Sequence, residues 1–309
     1  MPGNEAPGVE GAFRFICAPS HNAYDDPIVF PGQPGKSHLH TFFGNTGTDA
    51  NSTYTSLRTT GESTCNNLLN RSAYWVPSMM HPSGRVVMPN WISIYYKRAP
   101  QGSQYCSEPY AKACLPLPRG LRYVFGYNMN DPSKSSPERM GWFNCDGVGA
   151  VSGHFKSIKE AAKGCPTGAK IGMLLVGPNC WNGTELDTPD HRSHMAYQYY
   201  DGIHGAPVCP STHPYLLPFF EAGTWYTNDG TAADWKLSSD IAMNMEGGAS
   251  AHADWFGAWE DEVQSLWTAN CIDKALSCSG GDLGNGKQLA TIAGYTFPNA
   301  ISLVGMPVK

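Results

Sequence analysis

Histidine recurs in this chain in short clusters flanked by aromatic rings. The first is Gly35-Lys36-Ser37-His38-Leu39-His40-Thr41-Phe42-Phe43. On a strand, residues two apart point to the same face, so His38 and His40 would project together. Two imidazoles at that spacing make half of a metal site or an acid/base pair. The competing reading is two polar groups on a solvated strand face. Phe42, Phe43 and the turn-rich run Phe30-Pro31-Gly32-Gln33-Pro34 argue for an enclosed setting instead.

The second cluster runs from Cys180-Trp181 through Asp187, Asp190, His191 and His194 to Tyr197. A helical turn would put His191 and His194 on one face, whereas a strand would oppose them. His194 is favoured as the functional one because it leads into a strand-like run. Asp187 or Asp190 is placed to orient an imidazole. The third cluster is Ser250-Ala251-His252-Ala253-Asp254-Trp255-Phe256. It is expected at the start of a helix, with Ser250 as cap and His252 kept neutral by the positive helix end. The remaining histidines carry weaker signals. His21 lies near Asp25-Asp26, and His81, His154, His204 and His213 lie in turn-rich surface or structural segments.

Short strands must position these groups. Candidate strands are Phe13–Cys17, Tyr74–Val76, Trp91–Tyr96, Arg122–Tyr127, Lys170–Val176 and Ser193–Tyr199, all rich in aromatic and β-branched residues. The 34 Gly and 24 Pro break the chain too often for long helices. A brief helix is expected at Ser157–Lys163. A longer one is expected at Ala251–Cys271, where Phe256, Trp259, Val263 and Leu266-Trp267 recur at helical spacing. The fold class expected is mainly β: a sandwich or jelly roll with long disulfide-stapled loops and a C-terminal helix. Residues 1–10 read as a flexible tail and 11–309 as a single domain.

Among 309 residues there are ten cysteines and no CxxC pair, which favours disulfides over metal and an oxidising compartment over the cytosol. Cys106–Cys114, Cys271–Cys278, Cys145–Cys165 and Cys180–Cys209 are candidate pairs, although spacing alone does not fix connectivity. Charged residues make up only 15% and the net charge is −5, with no basic stripe, which speaks against nucleic acid. No run of eighteen apolar residues is present for a membrane span. The opening Met1-Pro2-Gly3-Asn4-Glu5 reads as a mature start with a replacement Met. Nine Trp and fifteen Tyr suit a sugar-stacking surface or, equally, a ring-filled core. Serine-hydrolase, zincin, P-loop and dinucleotide fingerprints are absent.

The order DDPIVFPGQPGKSHLHTFFGN, SAYWVP, the block from Cys180 to Tyr197, the Cys209-Pro210 to His213-Pro214 loop and HADWF resembles a secreted domain-of-unknown-function family of bacteria and fungi. That family is often linked to carbohydrate- or wall-binding modules. The likeness runs from about Cys17 to Cys278. One departure is Asn182, where the family commonly has Asp. The resemblance implies secretion and a carbohydrate setting, and it names no reaction.

The leading expectation is therefore an extracellular glycoside hydrolase or polysaccharide lyase. In it His40 and His194 act as acid and base or hold a metal, Asp187 and Asp254 orient or polarise them, and His38 and His252 complete the set. Trp75, Trp181, Trp255 and Tyr197 would contact the glycan. A second expectation is a copper or zinc metalloprotein with oxidative activity, held by His38, His40 and His194, with calcium as a further candidate ion. A third is a non-catalytic glycan- or wall-binding module. All three describe a secreted monomer whose partner is a polysaccharide or cell-wall glycan.

Overall fold

The structure is a computed structural model and describes residues 4–5, 10–289 and 296–309. In chain order the strands of its two main sheets are β1 (Gly11–Cys17), β2 (Pro19–Ala23), β3 (His40–Gly44), β4 (Ala73–Pro77), β5 (Trp91–Arg98), β6 (Arg122–Gly126), β7 (Gly141–Asp146), β8 (Lys170–Val176), β9 (Phe219–Thr227), β10 (His252–Phe256) and β11 (Leu276–Ser279). The larger sheet has the order β11-β1-β5-β9-β8-β7, with Asn4–Glu5 paired outside β11. The smaller has the order β6-β10-β4-β3-β2. Most of the expected tail, residues 1–10, lies outside the described residues.

The sheets form a β-sandwich. Phe13, Phe15, Ile94, Tyr96, Phe220 and Met173 of the larger sheet share one core with Phe43, Tyr74, Val76, Tyr123, Phe125 and Trp255 of the smaller. Alternation along each strand produces this inner face. The outer face of the smaller sheet is not left to solvent. Phe42, Trp75, Val124 and Phe256 form a second apolar cluster there, closed over by Ile28 and Leu57. Leu57 belongs to α1 (Tyr54–Thr59), whose N-terminus is capped by Thr53. This covered outer face carries the histidines.

Three further helices are α2 (Ile158–Lys163), α3 (Ser238–Met243) and α4 (Asp261–Trp267). The expected helix at Ser157–Lys163 is α2, with Ser157 as its cap. The expected C-terminal helix is present but much shorter than Ala251–Cys271. Its first part is β10, and helix begins only at Asp261. The physical reason lies in burial. Every residue of His252–Phe256 is buried because both faces of the smaller sheet are covered. Such a strand loses its polar alternation and reads like a helical apolar stripe. Ser250 is accordingly no helix cap; its amide and hydroxyl both bond to Asp240. The expected strand at Ser193–Tyr199 resolves into two short pieces, Met195–Ala196 and Tyr199–Asp201.

All four disulfide pairs suggested by spacing are formed, and Cys17–Cys65 completes the set.

Candidate functional site

Register across the smaller sheet fixes which side chains meet. Val124, Asp254, Trp75 and Phe42 form one cross-strand row. One step along, Gly126 pairs with His252 and Pro77 with His40. His252 and Asp254 therefore share the outer face with His40 and Phe42. His38 arrives from the loop just before β3. One ring nitrogen from each of His38, His40 and His252 lies within 4.8 Å of the others.

The outer nitrogens of these rings are tied down. His40 Nδ1 is 2.9 Å from Asp25 O, and His252 Nδ1 is 2.8 Å from Ser250 O. A carbonyl only accepts, so both Nδ1 atoms carry the proton. Ser238 donates its hydroxyl to Leu39 O, so His38 Nδ1, at 3.0 Å, donates to Ser238 Oγ. In the neutral rings every Nε2 then presents a lone pair to the others. His38 Nε2 and His252 Nε2 stand 3.3 Å apart, and His40 Nε2 is buried without a partner. Lone pairs facing each other at that distance repel, and a cation between them removes the conflict. Nitrogens around a tetrahedral zinc with bonds of about 2.0–2.1 Å stand about 3.3 Å apart.

Burial keeps the rings in the ligand state. It pushes His38 down to about 4. His40 and His252 are pushed well below the ordinary value by burial and by the neighbouring imidazoles. His38, half-buried, is the most accessible of the three.

Beside the triad lies a buried polar group. Asp254 is 1% exposed, and neither carboxylate oxygen has a hydrogen-bond partner. Burial drives its pKa well up, the nearby Asp26 adds to this, and Arg192 opposes it. Asp26 is raised to about 6 by burial, although its carboxylate accepts the amides of Ile28 and Val29. Arg192 is held in place by donating to the carbonyls of Gly126 and Tyr127.

The other expected site residues are placed elsewhere. His194 does not join the triad; Thr188 Oγ1 and Arg122 O occupy its ring nitrogens at 2.9 and 3.0 Å. The metal set His38, His40 and His194 is thus replaced geometrically by His38, His40 and His252. Asp187 does orient an imidazole, that of His191 at 2.8 Å, while its other oxygen takes Arg122 Nε. Trp75 and Trp255, expected as sugar platforms, are wholly enclosed: Trp75 stacks under Phe42 and Trp255 sits in the sandwich core. No pyranose ring can reach either without unfolding the sheet. Trp181 is half-buried, and its indole donates to Glu185 O. Tyr197 donates from its hydroxyl to Val176 O and lines a surface cavity.

Two positioning residues carried no sequence signal. Ser238 orients His38. Asp240 is fully buried and accepts from the amides of Leu237, Gly248 and Ser250 and from the Ser250 hydroxyl, at 2.6–2.8 Å. That cage fixes the turn whose carbonyl, Ser250 O, aims His252.

No curated protein and no solved structure matches the chain. The family model of a domain of unknown function, DUF1996, matches residues 26–259, a span that contains all three clustered histidines together with Asp26 and Asp254. The chain therefore belongs to the DUF1996 family.

Proposed function

We propose that the protein is a metal-dependent enzyme whose His38, His40 and His252 hold one zinc or copper ion, and that its reaction is metal-assisted hydrolysis of an extracellular polysaccharide. One observation carries this reading: three neutral imidazoles, two buried and one half-buried, turn their free nitrogens toward one point while oxygens fix their outer nitrogens. Such outer bonds are the usual second layer of metal-binding histidines. Imidazole donors suit zinc and copper and make calcium a poor fit. A structural zinc site closes with four protein ligands, whereas a catalytic one keeps a position open, and this cluster supplies three. Water in that position would be acidified by the ion.

Support for a sugar substrate is less direct. Five disulfides suit an oxidising compartment. A cavity of about 360 Å³ is lined by Arg139, Met140, Tyr197, Tyr200, Pro207 and Phe219, a ring-rich wall of the kind that stacks on pyranose faces. A neighbouring cavity shares Met140 and is lined also by Gly126 and Ala251.

The test is elemental analysis of protein purified without chelators and without a metal-affinity step, followed by a polysaccharide screen with and without chelator. The expected result is about one zinc or copper per chain and chelator-sensitive release of sugar. A chain that holds neither metal and takes up neither from solution sinks the reading.

A further inference from the structure

Both oxygens of the buried Asp254 carboxyl group lack a hydrogen-bond partner, at 1% exposure. Native proteins leave few buried polar atoms in that condition, because each forfeits its hydration for nothing. Asp254 stands two residues after His252 on β10, on the same face of the sheet. It is not among the residues whose ligand atoms meet within 4.8 Å, so it is not one of the three ligands. Its flanks are occupied by Val124 on β6 and Trp75 on β4, and the Asp26 loop and Arg192 lie close by. No protein hydrogen bond has to break for this carboxylate to accept one from outside.

We propose that Asp254 faces the open position of the ion held by His38, His40 and His252, and accepts the hydrogen bond of the water bound there. It is then a catalytic residue, the group that orients the attacking water. This rests on the metal reading above.

The test uses copper(II) alone as metal and azide as probe of the open position, read by the azide-to-copper absorption band. Beside a doubly charged copper ion Asp254 stands as a carboxylate, so an anion entering there is repelled and blocked, and wild type should bind azide weakly. Asp254→Asn should still take one copper per chain and bind azide about tenfold more tightly or better. Asp254→Glu, which keeps the charge, should return azide affinity toward wild type. Asp254→Ser carries the same expectation as the Asn variant should the latter not fold, with far-ultraviolet circular dichroism as the check. Equal azide affinity in wild type and the neutral variants overturns the proposal and leaves the metal site standing. So does an equal gain in Asp26→Asn, since the effect would then belong to the field of the acidic pair and not to contact at the ion. A wild-type chain that binds no copper and no zinc removes both readings together.

Discussion

The Nε2 atoms of His38 and His252 stand 3.3 Å apart although 214 positions separate the two residues in the chain. Both rings point their protons the other way, into Ser238 Oγ and Ser250 O. The contact is therefore a meeting of two acceptors, and a cation between them turns repulsion into binding. Zinc or copper should raise the melting temperature and chelator should lower it again. At a thousandfold excess over Kd, binding to the folded state alone contributes about 4 kcal/mol. His252→Ala and His40→Ala should lose that shift, while His194→Ala should keep it. Differential scanning calorimetry with and without metal checks all three, and a metal shift surviving in His252→Ala would move the site elsewhere.

The aim of the rings depends on groups behind them. Ser238→Ala removes the acceptor for His38 Nδ1 and leaves only Leu39 O, at 3.3 Å. Loss of such an outer bond lowers metal affinity by about ten- to a hundredfold. The fold should barely respond, because the hydroxyl is a small contributor. Asp240→Asn is the contrasting case. It replaces an acceptor of four donors by a group that must turn an amide toward some of them. A loss of about 2–4 kcal/mol in urea unfolding is expected, with weakened metal binding following from it. Isothermal titration beside urea melts separates the two behaviours.

How much of this was legible depends on period and reach. The His38-Leu39-His40 spacing declared a shared strand face; the structure brings the two rings together, although the strand begins only at His40 and His38 lies in the loop before it. The same two-residue step in His252-Ala253-Asp254 was hidden, because β10 is buried on both sides and mimics an apolar helix stripe. Four disulfides could be read from short separations of 7 to 29 residues, whereas Cys17–Cys65, 48 apart, offered no local cue. His194 was favoured because it leads into a strand-like run, yet Thr188 and the Arg122 carbonyl occupy its ring, and Asp187 holds His191 instead. Ser238 meets His38 from 200 positions away and Asp240 acts through backbone amides, and no local side-chain pattern reports either. The convergence itself is a property of strand order, β10 beside β4 beside β3, and strand order is not written in any one segment.

His194 supplies a pH dependence with a definite sign. Burial lowers its pKa, against the raising effect of Arg122 O and the nearby acids. The unfolded chain, with an ordinary imidazole near 6.5, then binds the proton more readily than the folded one. Its contribution to stability is complete above about pH 6.5 and is lost as pH falls through the lower folded value. His194→Gln should flatten the slope of unfolding free energy against pH below about 6.5, by at most about 1.4 kcal/mol per pH unit. Urea titrations at several pH values between neutral and acid compare the two proteins, and parallel curves would mean that other groups set the acid sensitivity.

The Cys17–Cys65 bridge closes the longest loop of the five, and it ties the end of β1 to the segment leading into β4. In the chain-entropy account a loop of 48 residues restrains the unfolded state by about 4 kcal/mol, and one of 8 by about 2.5 kcal/mol. Replacing Cys17 and Cys65 together by Ala should therefore cost about 1–2 kcal/mol more than replacing Cys106 and Cys114. Equilibrium unfolding of the two double variants gives the difference directly.

Gly126 sets the position of His252 from the neighbouring strand. Its φ is +93°, a conformation that side chains rarely adopt, and a Cβ there would lie 2.6 Å from Ala251 O and 2.7 Å from His252 Cα. Both contacts are with backbone or its root, so no flexible side chain can move aside. Gly126→Ala must push β10 away from β6 at the residue that carries a ligand. Metal affinity should fall at least about tenfold, since coordination tolerates displacements of only a few tenths of an ångström. Gly84→Ala, at a turn with φ +78° and no neighbour within 4 Å, shares the backbone strain without touching the site. It should lose comparable intrinsic backbone stability and no metal affinity. Equal effects of the two variants on metal binding would show that the fall comes from general destabilisation and not from the displacement of His252.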